Sequence, residues 1–359
     1  MPPALAGDRG RAGLAAVIDG ADLCERGWIP DGLARFGMRR LIRQRLRQVT
    51  GADASARQAA FFDSLRSGPI AFATDAANAQ HYEVPPAFFE TVLGPRLKYS
   101  CAWYENDTDD LATAEEAMLA LTCRRAGVAD GMALLDLGCG WGSLSLWLAE
   151  QYPNARITAL SNSAGQRRHI EGRAAAAGLS NLEVHTGNVA EWDTERRFDR
   201  VLSVEMFEHM SNYAALLAKV CGWLAPEGRL FTHVFCNRET GYRYEPGDGW
   251  MERYFFTGGI MPREDQFEQF PGQVTVEQRW WVDGTHYERT CNDWLARLDA
   301  QRDRVAQLCL ETYGPEEATR WVQRWRMFFM ACAELFGLDG GRRYGVVHTL
   351  MRPADAPPV

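Results

Sequence analysis

The chain has 359 residues, 46% of them hydrophobic, and a formal net charge of −8. That length can bury one large core or two smaller ones, the acidic balance argues against nucleic acid as a partner, and no uncharged apolar run reaches the roughly 18 residues a membrane-spanning helix needs, so stable membrane insertion is not expected. Nine cysteines without a CxxC pair exclude zinc knuckles and a secreted disulfide framework, and no metal set is expected.

The first stretch, MPPALAGDRGRAGLAAVIDGADLCERG, carries acids inside its short apolar run and makes a poor secretory signal, which predicts a cytoplasmic protein. Residues 1 to about 125 read mostly as helix, with Pro85 and Pro86 starting a new segment in YEVPPAFF. Within them RFGMRRLIRQRLRQ (Arg35–Gln48) has the pattern of an Arg-rich helix, read as a solvated face with lipid or partner docking as the alternative. From Met132 the texture changes: apolar runs (MALLDLGCG, ARITALSNS, NLEVHTGNV, FDRVLSVEMFEH, RLFTHVFCN) alternate with helical patterns, the last helix leaving through a turn at APEG. That alternation predicts a parallel sheet covered on both faces. Residues 238–272 break the rhythm with Gly, Pro and aromatics; VTVEQRWWVDG then reads as a strand, 292–337 as helical, and YGVVHTLMR as a last strand. The expectation is an α/β protein in three segments: a helical N-terminal extension and cofactor cover at 1–125, a ligand-binding core at 126–237, and a substrate lid, helices and final strands completing the core at 238–359.

LLDLGCGWG (Leu134–Gly142) is a strand entering a helix through a glycine turn, at the sheet edge where open α/β folds bind ligands. Its glycines, Gly138, Gly140 and Gly142, miss the dinucleotide spacing by one residue, and Asp136 precedes them. That carboxylate would repel a pyrophosphate and welcome a cationic amino-acid moiety, which favours S-adenosylmethionine over NAD.

From these residues onward the chain resembles the class I S-adenosylmethionine-dependent methyltransferases, and more narrowly the cyclopropane-fatty-acid synthase superfamily. QHYEVP, KYSCAWY, SNSAGQ and VEMFEHM carry that resemblance; GWIPD, FFTGGIMP, HYERTCNDWLARLD and ELFG extend it toward the coclaurine N-methyltransferase-like branch. The resemblance implies a Rossmann-like core and an N-methyltransferase taking a small, isoquinoline-like aromatic amine, with a homodimer compatible. Tyr82, Ser100, Asp136, Gly138, Gly140, Asn162, Gln166, Asn188 and Val189 would then hold the cofactor. The amide of Asn188 stands where many relatives carry an aspartate, and it can both donate and accept near adenine.

SVEMFEHM places Glu205, Glu208 and His209 just past a strand end on the same rim. A protonated amine must lose a proton before it can attack a methyl group. The reading assigns His209 and Glu208 as base and orienter and Glu205 as the amine anchor, with Glu205 and His209 on one face if the segment is helical. Cys101, Trp103, Phe207, His233, Tyr254, Phe255 and Tyr287 are the candidate substrate contacts. An alternative from the same superfamily is methylene transfer to unsaturated acyl chains. There the resemblance implies a bound bicarbonate caged by Cys101, Glu208, His233 and Tyr287; bicarbonate enters only under that alternative. The aromatics of GWMERYFFTGG suit a hinged lid that attracts organic cations, and those of Trp321–Gly337 read as core.

Overall fold

A computed structural model describes residues 20–51, 53–71, 84–244, 247 and 249–354. The N-terminal segment forms helices α1 (Gly20–Glu25), α2 (Asp31–Val49), α3 (Ala54–Ser64), α4 (Pro86–Val92) and α5 (Leu111–Ala126). Helix α5 starts where the Asp110 carboxylate accepts the Thr113 N–H at 2.8 Å and stops where Gly127 takes a left-handed conformation. One side of the Arg-rich α2 packs inward: Arg35 and Arg39 pair with Glu334 at 2.9 and 2.6 Å, and Arg45 donates to the Arg243 carbonyl. Its other side leaves Phe36, Arg40, Leu41 and Arg43 exposed.

The alternating region forms β1 (Ala133–Leu137), α6 (Ser143–Gln151), β2 (Arg156–Ser161), α7 (Ala164–Ala176), β3 (Leu182–Thr186), β4 (Phe198–Val204), α8 (Tyr213–Trp223) and β5 (Leu224–Asn237). Beyond it lie β6 (Tyr242–Arg243), α9 (Trp250–Tyr254), β7 (Ile260–Met261), β8 (Val274–Asp283), α10 (Gly284–Ala300), α11 (Arg302–Tyr313), α12 (Ala318–Phe336) and β9 (Tyr344–Pro353). Seven strands make one sheet in the order β3-β2-β1-β4-β5-β9-β8. β1 to β5 pair parallel, and β9 pairs antiparallel with both β5 and β8. This is a doubly wound, Rossmann-like sheet. The chain leaves β1 in one direction to β2 and returns on the other side as β4, so the switch point lies at the glycine loop.

Two local expectations change. APEG (225–228) is not a free turn but the start of β5, beside a register irregularity between Phe198 and Arg200. Gly228 permits this, because a Cβ there would come 2.7 Å from the Phe198 carbonyl oxygen. The helical stretch at 292–337 is three helices, with Gly314 at φ +79° breaking α11 from α12. No described helix is long and apolar enough to cross a membrane.

The largest apolar cluster joins α4 and α5 to α10, α11 and α12 through Phe88, Leu121, Trp294, Trp325 and Phe329, while a second packs α3 and α8 on the sheet. The strand ends therefore open into a space roofed by helices distant in sequence.

Candidate active site

At the carboxyl ends of β1, β2 and β4 lies a cavity of about 320 Å³. The glycine loop forms one wall. Gly138 sits at φ +85°, and a Cβ there would meet Met206 Cγ at 2.6 Å; Gly142 at φ +82° is held equally close to Ile170. Gly140, at φ +52°, instead faces open space. The loop is thus fixed from behind and clear in front, as close backbone approach to a ligand requires. Asp136, 1% exposed, lines the same wall and accepts the Ser145 hydroxyl at 2.5 Å; burial pushes its carboxyl up to about 6. The buried Ser143 hydroxyl also lines the wall and has no partner among the described residues. Asn162, Gln166, Asn188 and Val189 complete this end. The Gln166 amide oxygen accepts the Ser161 hydroxyl at 2.6 Å, and the Asn188 amide oxygen accepts the Ala190 N–H at 2.9 Å. Ser100 lines the opposite side, its hydroxyl bonded to Lys98 Nζ. A recessed acid, an orphan hydroxyl and side-chain amides around a clear glycine loop fit S-adenosylmethionine. Tyr82 lies outside the described residues.

The trio splits. Glu205 takes φ +47°, a strained value for a non-glycine residue, and its N–H donates to the His233 carbonyl at 2.8 Å. This turn aims its carboxylate at the cavity. Oε1 accepts the Cys101 N–H at 3.0 Å and faces His233 Nε2 at 3.2 Å, while Oε2 accepts the Tyr287 hydroxyl at 2.6 Å. Burial raises the Glu205 carboxyl to about 7 against the pull of Lys98, Tyr287 and the Cys101 amide. Residues Phe207–His209 then form one 3-10 turn. Its side chains fan out about 120° apart, so only His209 reaches the cavity, edge-on to Phe256 at 5.0 Å. Glu208 points inward: it is fully buried, Oε1 accepts the Phe235 N–H at 2.7 Å, and burial followed by the Glu205 charge raises its carboxyl well above the ordinary range. Glu208 therefore does not orient His209 and does not line the cavity. Nor do Glu205 and His209 share a helical face; Glu205 precedes the turn.

Among the other candidates, Phe255 and Tyr287 line the cavity. Phe255 stacks on Phe328 at 4.4 Å and Tyr287 on Phe336 at 4.2 Å. Cys101 and His233 stand behind Glu205 as its partners, the Cys101 thiol buried and pushed up. Trp103 stacks on His286 at 4.1 Å, Phe207 packs on Phe267, and Tyr254 lies under the Arg324 guanidinium, all away from the cavity. Their replacement comes from Cys291 and Trp294 on α10, and from Phe328, Cys332 and Phe336 on α12, the helix whose aromatics the sequence reads as core. The spacing of 328, 332 and 336 is a helical stripe that marked one face without saying what it faced. Lys98, buried beside Glu205 and itself pushed down by that burial, was also missed; a lysine inside KYSCAWY was the available signal.

Comparison with known proteins follows the same line. The family profile described as mycolic acid cyclopropane synthetase matches residues 73–340. The chain is 35% identical to (S)-coclaurine N-methyltransferase of Thalictrum flavum subsp. glaucum, across 94% of this chain and 96% of that protein. With cyclopropane-fatty-acyl-phospholipid synthase of Escherichia coli (strain K12) it shares 30% identity, over 72% of this chain and 63% of the other. The crystal structure of coclaurine N-methyltransferase bound to N-methylheliamine and SAH superposes with a TM-score of 0.89 at 35% identity, covering 94% of this chain and 100% of that one. Recessed acid, glycine loop, sheet order and relatives agree: the chain belongs to the mycolic acid cyclopropane synthetase family and is an S-adenosylmethionine-dependent methyltransferase.

Proposed function

We propose that the enzyme transfers a methyl group to the nitrogen of a small aromatic amine of isoquinoline type. The observation that carries this reading is the Glu205 carboxylate, held at the cavity wall by the Cys101 N–H and the Tyr287 hydroxyl and faced by His233 Nε2 and by aromatic rings. A fixed carboxylate within aromatic walls is an environment for an organic cation. S-adenosylmethionine, when bound, supplies the electrophilic methyl. Glu205 anchors the ammonium, and a ring nitrogen of His209 takes its proton, which frees the lone pair. Phe255, Phe256, Phe328 and Phe336 exclude water around that exchange. The relative of known structure is bound to N-methylheliamine and SAH, which supports an amine acceptor here.

Methylene transfer to acyl chains would need Cys101, His233 and Tyr287 free to cage an anion. Here their polar groups close on the chain's own Glu205 carboxylate, which leaves the amine reading favoured. Purified enzyme with methyl-labelled S-adenosylmethionine tests the choice. Tetrahydroisoquinolines and unsaturated phospholipid vesicles are offered separately, and products are analysed by mass spectrometry. Label in the amine and none in lipid is expected; label in acyl chains would overturn the proposal.

A further inference from the structure

Glu205 is one end of a hydrogen-bonded file that leaves the cavity. Its Oε1 faces His233 Nε2 at 3.2 Å, His233 Nδ1 faces His348 Nε2 at 2.9 Å, and His348 Nδ1 faces an Arg125 guanidinium nitrogen at 2.9 Å. The two histidines are register partners on β5 and β9 and are fully buried. Arg125 lies in the last turn of α5, half-buried, with its guanidinium 5.2 Å from the Trp280 ring centroid.

The order of donors in this file is dictated by chemistry. A guanidinium can only donate, so His348 Nδ1 accepts and its proton sits on Nε2. His233 Nδ1 must then accept, which places its own proton on Nε2, aimed at Glu205 Oε1. Burial holds both imidazoles neutral. Arg125, pushed down to about 10 by burial and by Arg124, stays cationic at neutral pH.

We propose that Arg125 is a positioning residue: by locking His348 and His233 as Nε2–H tautomers it keeps a donor on the Glu205 carboxylate, so that the amine meets an ionised group. This rests on the assignment of Glu205 as amine anchor. The other groups around Glu205 are Lys98 and Cys101 in the loop after α4, Tyr287 and Cys291 on α10, and Glu208 in the 3-10 turn. Of these, Lys98 also bears on both histidines, its charge disfavouring their cationic forms. Without Arg125, His348 can carry its proton on Nδ1, the file can reverse, and His233 Nε2 becomes an acceptor that favours protonated Glu205. The pH at which Glu205 ionises then rises by about one unit.

Two measurements test this in the whole chain. Histidine-selective 15N labelling with long-range proton–nitrogen spectra reads the tautomers directly; resonances are assigned with His233→Gln and His348→Gln. The expected result is Nε2–H at both histidines, with His348 changed in Arg125→Met and restored in Arg125→Lys. Calorimetry of tetrahydroisoquinoline binding to the S-adenosylhomocysteine-loaded protein reads the Glu205 midpoint across pH. Arg125→Met should raise it by about one pH unit, a tenfold lower proton activity, whereas Arg124→Gln, which removes a neighbouring charge outside the file, should leave it in place. An Nδ1–H proton on either histidine in the wild type, or an unmoved midpoint in Arg125→Met, overturns the proposal. If the wild-type midpoint persists in Glu205→Gln, the anchor assignment itself fails, and the tautomers still decide the file.

Discussion

Glu205 and Glu208 stand three residues apart and do opposite work. Glu205 faces the cavity with donors on both oxygens, whereas Glu208 accepts a single backbone N–H and is surrounded by core. Burial and the Glu205 charge disfavour the ionised form of the Glu208 carboxyl, and a neutral isostere reproduces its contact with the Phe235 N–H. Glu208→Gln should accordingly keep methyl transfer within several-fold of wild type. Glu208→Ala, which strands the Phe235 N–H, should lower unfolding free energy by about 2 kcal/mol in a denaturant titration. A large fall in turnover for Glu208→Gln with unchanged stability would return Glu208 to the chemistry. The proposed anchoring role gives Glu205 the pH dependence of amine binding. Its carboxylate forms as pH rises through about 7, so amine binding should strengthen across that range and weaken below it.

At the scale of elements, β1, the glycine loop and α6 act as one unit. Gly138→Ala combines a left-handed backbone with a 2.6 Å approach to Met206 and should cost about 1–3 kcal/mol of stability along with cofactor binding. Asp136 links this unit to pH in two directions. Its folded carboxyl is raised from 3.8 to about 6, so its contribution to stability is fully present below pH 3.8 and is lost as pH rises through about 6. Over the same range the anion that welcomes a cationic amino-acid moiety appears. Thermal unfolding of cofactor-free protein should therefore show stability falling from acid toward pH 6, while S-adenosylmethionine affinity, measured by calorimetry, rises. Asp136→Asn should flatten both trends.

These local units were readable from the chain because their signals are local: glycine spacing, strand–helix alternation, and an acid two residues before a turn. The walls from α10 and α12 and the His233–His348 contact were not. They depend on which strands and helices the fold brings together; the two histidines are 115 residues apart in the chain. The direction of Glu208 was hidden for a different reason. A helical reading of VEMFEHM pairs positions four apart, but a single 3-10 turn sends Phe207, Glu208 and His209 three ways.

For the molecule as a whole, the parallel half of the sheet presents the glycine-loop end of the cavity, and helices from the C-terminal segment close the other end over Glu205 and His209. The antiparallel strand β9 adds what the parallel half lacks, a buried histidine that joins the cavity to α5. One fold thereby sets donor, acceptor and charge around a single carboxylate. The most direct test is single-turnover methylation of tetrahydroisoquinoline by the wild type and by Glu205→Gln, with S-adenosylmethionine affinity measured on the same samples. Loss of the anchoring charge should slow transfer by about 10²-fold or more at pH 8, leave cofactor affinity within a few-fold, and remove the rise in rate through pH 7. Equal rates and equal pH profiles for the two proteins would contradict the assignment of Glu205 as the group that holds the amine.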